Sequence, residues 1–406
     1  MSVRTLLQAS QTAPSSLRAE NAGALARAYL EDACAGGERD EVEDFLFALL
    51  DDPSALVRRA LAESLASAEG APPELVLGLA CDQADVAALV LSRSPLLSDE
   101  QLIDCAAIGE SAAQTAIASR ARLSAAAAAA LAEIGSREAL RTLAANEGAN
   151  LPGFTLRRMI ERFGADGQMR EALLGRAWLP ASVRAALAAA AARCLTEFAV
   201  ERQWLSPARA ERVAKGSTDS AYMIIAAGAA AYSDETASLA AYLRASGQLT
   251  AGLALRALLC GQTGLFEASL VELTGLSPRR VASLISAPAS DTFAAVYAAA
   301  DLPASLMPAF QSALAAQSRL QDEAGGQATP QEDGALRLTV IQAVLRRCET
   351  ADDEALGRLI PLLRRFATEA AREKGRRSLE RKKTSAAPEQ QGVDESTAPE
   401  KARIAA

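Results

Sequence analysis

Residues that open helices recur along the first half of this chain at nearly constant intervals. An apolar or small residue is followed by Ser or Pro at positions 72, 98, 124, 152 and 180, so the intervals are 26, 26, 28 and 28 residues. Serine at the N-cap and proline at the first helical position both favour the start of a helix. A fixed period of this length indicates a repeat architecture. The five anchors are Ala71-Pro72, Leu97-Ser98, Leu123-Ser124, Leu151-Pro152 and Leu179-Pro180.

The segments between the anchors have the pattern of short amphipathic helices. Alanine, leucine, arginine and glutamate dominate them, and all four are strong helix formers. Val57, Leu61 and Leu65 recur at helical spacing and form one apolar stripe. One such helix precedes each anchor and one follows it. The sequence therefore predicts an all-α chain that begins with an α-solenoid of about 27 residues per two-helix unit.

The first unit carries a recognisable repeat motif. Residues 49–66 read LLDDPSALVRRALAESLA, in which an acidic turn with proline is followed by Val-Arg. This resembles the HEAT-repeat pattern. The resemblance implies a short-repeat HEAT-like α-solenoid in which Asp52 and Arg58 take part in a stacked polar ladder, a structural role. Later units keep the spacing but lose both motifs, so the ladder is expected only in the first one or two units.

The repeat signal fades near residue 200, after which a second helical domain is predicted. A polar segment containing glycine, QDEAGGQATPQEDG, predicts a flexible loop. Beyond residue 383 the sequence has no periodicity, which predicts disorder. The predicted parts are an N-terminal arm and first helix at 1–37, the solenoid at 38–200, a helical C-terminal domain at 201–372 with its loop at 321–334, and a basic then disordered tail at 373–406.

Two long stretches, residues 51–103 and 249–310, resemble a family known mainly from alphaproteobacteria, domain of unknown function 2336. The resemblance covers roughly residues 40–370. It is carried by repeat leucines and by turn prolines and glycines. It implies a helical-repeat fold, and the family brings no established activity, substrate or cofactor.

Several classes of enzyme and binding site are excluded by composition. The chain has no histidine, so Ser-His-Asp and Cys-His nucleophile systems and histidine-ligated zinc cannot form within it. Its six cysteines contain no CxxC pair, and no GxGxxG or GxxxxGK[ST] motif is present. We therefore expect no catalysis, no cofactor and no metal. The N-terminus lacks an apolar signal region and no apolar run is long enough to span a bilayer, so we expect a cytoplasmic protein.

Residues 266–285, FEASLVELTGLSPRRVASLI, have the spacing of a helix-turn-helix. Gly275 would lie in the turn, and Ser277 would cap the second helix. Arg279 and Arg280 would then lie at the exposed start of a reading helix and contact DNA. The same pattern also fits a structural corner of a helical repeat, and the segment carries few basic residues. The corner is the favoured interpretation, and contact with nucleic acid stays open.

The region 364–383 is strongly basic, with nine Lys/Arg and three Asp/Glu in a chain whose net charge is −8. It could contact nucleic acid, an anionic membrane or an acidic partner, or it could be a solvated helix end. Stacked helical repeats commonly bind partner proteins on extended surfaces. We therefore predict a non-catalytic scaffold or adaptor that binds a partner protein. The alternative is a DNA-associated regulator that uses residues 266–285.

Overall fold

The computed structural model describes residues 13–31, 38–323, 334–350, 354–357 and 359–385. Within these ranges the regular structure is helical, and no residue lies in a β-strand. A single isolated bridge joins Leu123 to Ala149. The prediction of an all-α chain is confirmed.

Contacts divide the chain into two compact units, Met1–Tyr242 and Leu243–Ala406. The helices that begin in the first unit, with a 3-10 turn at Leu49–Asp51, are α1 Ser15–Leu30, α2 Glu38–Ala48, α3 Ala55–Leu65, α4 Pro73–Ala80, α5 Ala84–Arg93, α6 Asp99–Ile108, α7 Ser111–Ala118, α8 Ala125–Ile134, α9 Arg137–Ala145, α10 Gly153–Phe163, α11 Gly167–Leu174, α12 Ala181–Glu201, α13 Pro207–Ala229 and α14 Ser233–Ala245.

The helices of the first unit are arranged in two rows. Helices α1, α3, α5, α7, α9 and α11 each contact the next in that order, and we call them the first row. Helices α6, α8, α10 and α12 do the same and belong, with α4, to the second row. Consecutive helices such as α6 and α7 also pack together. This order of contacts is the one expected for stacked two-helix repeats.

Every anchor found in the sequence opens a helix of the second row. Pro72, Ser98, Ser124, Pro152 and Pro180 are the N-cap residues of α4, α6, α8, α10 and α12. The side chain of Ser98 accepts a hydrogen bond from the Gln101 N–H in a capping box. The three prolines stand at the N-cap rather than at the first helical position, and their extended backbone, with ψ from 123° to 155°, is the conformation usual for an N-cap residue. The sequence period therefore marks real helix starts.

The core of the first unit is continuous from α1 to α12 and consists mainly of alanine and leucine. Leu61 and Leu65 are fully buried, as the apolar stripe predicted. Full burial of such a side chain stabilises the fold by about 1.5–3 kcal/mol.

The first unit extends beyond the predicted boundary at residue 200. Helices α12 and α13 contain 21 and 23 residues and pack along each other. In α14, the Glu235 carboxylate accepts a hydrogen bond from the Ala181 N–H at 2.5 Å, and Tyr242 packs against the core of the first unit. The predicted boundary at residue 200 was misplaced because the period of short helices ends at α12, whereas α13 and α14 still pack against the first unit. Helix α1 lies in the segment predicted as an N-terminal arm and first helix, outside the predicted solenoid, and it is the first member of the first row.

The second unit is also helical, with a 3-10 turn at Ala304–Leu306. Its helices are α15 Ala251–Leu259, α16 Thr263–Thr274, α17 Pro278–Ile285, α18 Asp291–Ala299, α19 Met307–Glu323, α20 Gly334–Glu349, α21 Glu354–Gly357 and α22 Ile360–Ser385. Its core contains aromatic rings: the centroid of Phe310 lies 5.7 Å from that of Phe266 and 5.2 Å from that of Tyr297.

Two predicted irregular segments differ in extent from the structure. Residues 321–323 are the end of α19, and 324–333 lie outside the described residues. Helix α22 continues through 373–385, which the sequence assigned to the tail, because that stretch is rich in arginine, lysine and glutamate, which favour helix. Residues 386–406, predicted to be disordered, lie outside the described part of the chain.

Candidate functional site

Large apolar side chains are exposed mainly between residues 174 and 232 of the first unit. Eight such side chains lie there, with exposed fractions from 43% to 74%, and both tryptophans of the chain are among them. A concentration of exposed apolar surface of this kind is typical of an interaction site. The eight are Leu174, Trp178, Leu195, Phe198, Trp204, Val213, Ile224 and Tyr232.

Three of these residues lie close to the turn between α12 and α13. Leu195 and Phe198 are three residues apart on α12, so they share one face of the helix. The Trp204 ring stands edge-on to the Phe198 ring, with centroids 5.4 Å apart, yet Trp204 is 69% exposed. The Arg202 guanidinium carbon lies 5.1 Å from the Phe198 centroid. We call Leu195, Phe198 and Trp204 the hairpin tip.

The backbone at the hairpin tip is held by a Schellman motif. The Trp204 N–H donates to the Ala199 carbonyl and the Gln203 N–H to the Val200 carbonyl, both at 2.9 Å. Gln203 has φ 58°, the left-handed conformation in which glycine is the usual residue. The contact of Trp204 with Phe198 is the apolar contact that commonly accompanies this motif. The exposed rings are therefore presented by an ordered turn.

The two residues predicted for the polar ladder each pair with a neighbouring repeat. Arg18 donates to both Asp52 carboxylate oxygens, at 3.0 and 2.8 Å, and Arg58 donates to both oxygens of Asp82, at 2.6 and 3.0 Å. Arg58 also donates to the Asp52 main-chain carbonyl at 2.6 Å. These pairs join α1 to the start of α3, and α3 to the start of α5.

Opposing effects set the pKa of these two carboxyls. Burial alone would raise the pKa of Asp52 and of Asp82. The hydrogen bonds from Arg18 and Arg58, together with backbone N–H donors, outweigh burial and hold both pKa values below their ordinary range.

Equivalent links recur in later repeats, where the sequence motif is lost. Arg141 donates to the Asp166 carboxylate at the N-cap of α11, with Nε at 2.8 Å. The hydroxyls of Ser111 and Ser136 lie 2.7 Å apart and link α7 to the N-cap of α9. The expectation that the ladder stops after one or two units was wrong, because similar contacts are made by residues outside the Asp-Pro and Val-Arg motifs.

A second set of links, the carbonyl ladder, joins the other ends of the first-row helices. Its donors are Arg120, Asn146 and Arg176. Arg120 donates to the carbonyls of Leu91 and Ser94, both at 2.6 Å. Asn146 donates to the carbonyls of Ala118 and Arg120 at 2.8 and 2.7 Å, and Arg176 to those of Ala144 and Asn146 at 3.1 and 2.9 Å. These donors satisfy main-chain carbonyls at helix ends, so their role is structural.

The candidate nucleic-acid residues come together at the start of α17. Helix α16 ends at Gly275, which has φ 70°, and Ser277 is the N-cap residue of α17. Ser277, Arg279 and Arg280 are all exposed, whereas Val281 is fully buried. Neither guanidinium group makes a hydrogen bond or ion pair with a described residue, whereas the main chain of Arg280 bonds to Ser277 and Ser283. Both a reading helix and a structural corner would have this geometry.

The two parts of the basic run at 364–383 differ in how closely they are associated with the rest of the second unit. Its first part is engaged in the second unit, since Arg364 pairs with Glu349 at 3.0 Å and the Phe366 ring is buried. The side chains of Arg372, Lys374 and Arg376 are exposed. Arg364 and Arg365 are exposed as well, but each is paired with a glutamate, so the exposed cations without a described acidic partner lie in the later part of the run.

No group of three or more candidate metal ligands occurs in the described ranges. None of the helices traced there is long and apolar enough to cross a membrane. The described cysteines are free thiols.

The family model that matches this chain covers residues 86–352, from α5 into the second unit. The family is described as an uncharacterised protein conserved in bacteria. This description names bacteria in general, so it does not show the expected link to the alphaproteobacteria. No curated protein and no solved structure matches the chain. Because the match spans well over half of the sequence, the chain belongs to the bacterial family called domain of unknown function 2336.

Proposed function

We propose that this protein is a non-catalytic scaffold or adaptor that binds a partner protein, with the hairpin tip as its main point of contact. The observation that carries the proposal is the exposure of three large apolar side chains at the end of α12 and in the ordered turn that follows it. Leu195 is 69% exposed and Phe198 is 43% exposed, and Trp204 extends the same apolar surface.

The environment of the tip supports binding to a protein. Tryptophan is enriched among residues that dominate the binding energy of interfaces. Exposed charged side chains, including Glu197, Glu201 and Arg209, lie close by in sequence on the same two helices and would supply a polar rim. A buried Trp204 would contribute about 2 kcal/mol or more to the complex, which corresponds to roughly thirtyfold in affinity.

Three observations support a non-catalytic role in the cytoplasm. The chain has no histidine to act as a general base. Burial raises the pKa of the Cys105 thiol to about 11 and also raises the pKa of Cys260 and Cys348, so these thiols are poor nucleophiles. Free cysteines are typical of a reducing compartment.

Affinity capture of the tagged full-length chain from its native cell tests the proposal. We expect a specific partner protein that survives nuclease treatment and is lost with Trp204→Ala. The control is Ile108→Ala, because Ile108 is also an exposed apolar side chain, 88% exposed at the end of α6, and is not part of the tip. Retention of the partner by Trp204→Ala, or equal loss with Ile108→Ala, would contradict the assignment of the tip.

A second candidate function is contact with DNA, favoured by the exposure of Arg279 and Arg280, whose guanidinium groups pair with no described residue. The full-length chain is tested for a mobility shift on duplex DNA at low salt, where phosphate contacts are strongest. A sequence-selective shift lost with Arg279→Gln/Arg280→Gln would support a regulator. A shift lost only when Arg372, Lys374 and Arg376 are neutralised would assign it to the basic run instead, and no shift at all would rule this candidate out.

A further inference from the structure

A cavity of about 900 Å³ opens in the first unit between the loop after α11, the first turn of α12, and the turn from α13 to α14. Its lining includes Leu174, Trp178, Arg184, Gly228, Tyr232 and Asp234. Trp178 and Tyr232 are 67% and 66% exposed, so two aromatic rings face solvent at one opening. The volume lies within the range of sites that bind small organic molecules.

The walls of this cavity are fixed by hydrogen bonds between its two sides. The Glu235 carboxylate of α14 accepts the Ala181 N–H of α12 at 2.5 Å. The Ser238 hydroxyl donates to the Ser182 hydroxyl at 2.9 Å. A cavity with such cross-links is present before a ligand binds, so binding requires little reorganisation.

Three of the four charged groups in the lining already have a structural role. Arg176 is bound to main-chain carbonyls of the carbonyl ladder, and Glu235 is bound to the start of α12. Asp234 lies in the first turn of α14, where the helix dipole stabilises a carboxylate. Arg184 differs from these three. Its guanidinium makes no hydrogen bond or ion pair with any described residue, although it is half-buried and its Nε is fully buried.

A half-buried guanidinium without a partner loses part of its hydration, and no hydrogen bond or ion pair compensates for that loss. Gly228 lies beside it, since a Cβ built there would be 3.6 Å from the Arg184 Nη1 atom. The absence of a side chain at Gly228 therefore leaves this edge of the guanidinium uncovered. The two arginines of the lining, Arg176 and Arg184, are offset by Asp234 and Glu235, so the site suits a monoanion better than a phosphate dianion, which the two carboxylates would repel more strongly.

We propose that this cavity binds an aromatic carboxylate, with the carboxylate paired to Arg184 and the ring packed against Trp178 or Tyr232. Planar guanidinium groups pair with carboxylates through two parallel hydrogen bonds. The ligand is either a free aromatic acid or a peptide that ends in an aromatic residue and presents its C-terminal carboxylate. The site is separate from the hairpin tip, and the proposal does not depend on the proposed function.

The test is titration calorimetry of the full-length chain with benzoate and phenylacetate, each compared with its neutral amide. We expect saturable binding of an acid and binding of the matching amide that is weaker by roughly tenfold or more. Arg184→Gln should weaken acid binding to the level of the amide, and Arg184→Lys should recover part of it. An acetylated tetrapeptide ending in phenylalanine distinguishes the two sources, because tighter binding of the peptide than of phenylacetate assigns the site to a chain terminus.

Two further variants keep the test independent of folding. Gly228→Val adds a side chain beside Arg184 and should weaken acid binding while the helical circular dichroism is unchanged. Trp204→Ala lies outside the cavity and should leave acid binding unchanged. Equal binding of acid and amide, full acid binding by Arg184→Gln, or no saturable binding up to about 10 mM would overturn the proposal.

Discussion

Replacement of Gln203 by glycine should stabilise the first unit. Gln203 holds φ 58° at the end of α12, and a side chain in the left-handed region costs about 1–2 kcal/mol. Glycine removes this cost but loses about 0.5–1 kcal/mol more backbone entropy on folding. The net expectation for Gln203→Gly is a gain of about 0.5–1 kcal/mol in the free energy of unfolding.

Urea unfolding followed by tryptophan fluorescence measures this change. Trp178 and Trp204 are the two tryptophans of the chain, and both lie in the first unit, so the signal reports that unit. Gln203→Ala is the matched control, because alanine has the same left-handed cost, and its stability should stay within about 0.5 kcal/mol of the parent.

Gly247→Ala provides the reverse change. Gly247 has φ 68° and no heavy atom within 4 Å of a built Cβ, so backbone strain would be the main effect of the substitution. It should destabilise the chain by about 1 kcal/mol, as measured by circular dichroism.

A Gln203→Gly variant less stable than Gln203→Ala would show that the turn does not hold the left-handed geometry, and that the hairpin tip is not an ordered surface.

Three further predictions follow from the packing. Leu61→Ala should lower the free energy of unfolding by about 2–5 kcal/mol, because Leu61 is fully buried, and an unchanged urea midpoint would contradict its place in the core. Because the pKa of Asp82 is lower in the folded state, its pairing with Arg58 stabilises the fold above the unfolded pKa of about 3.9 and is lost as pH falls through the folded value. Arg58→Gln should therefore cost about 1–3 kcal/mol at neutral pH and flatten this acid dependence in unfolding measured from pH 7 downwards. Gly228→Ala should raise stability by about 0.5–1 kcal/mol through helix propensity while weakening acid binding beside Arg184, and a variant less stable than the parent would refute the first part.

The helix starts of the first unit could be predicted because they depend on local residues. Ser98 and Ser124 cap helices through their own side chains, and Pro72 restricts its own backbone. Nothing comparable marks the end of the first unit, because Tyr242 belongs to it only through tertiary packing. The boundary was therefore missed although the helices were found.

The hairpin tip was missed although a signal was present. Aromatic residues make up 4% of the chain, yet both tryptophans occur within 178–204. The turn itself had no signal, since glutamine is not a residue that favours a left-handed turn, and the conformation of Gln203 is held by hydrogen bonds from its own N–H and from that of Trp204. Arg184 could not be singled out either, because the absence of a partner is visible only in three dimensions.

The carbonyl ladder has a consequence for how this chain tolerates changes of sequence. The donors of the ladder, Arg120, Asn146 and Arg176, bind main-chain carbonyls, which every residue provides. These hydrogen bonds therefore do not depend on the side chains of the preceding repeat. A repeat can then change its sequence freely without breaking the link that its neighbour makes to it. A whole repeat can also be duplicated or deleted, because the next donor would meet an equivalent carbonyl at the newly adjacent helix end. In this chain the join between neighbouring repeats is therefore independent of which side chains the preceding repeat carries.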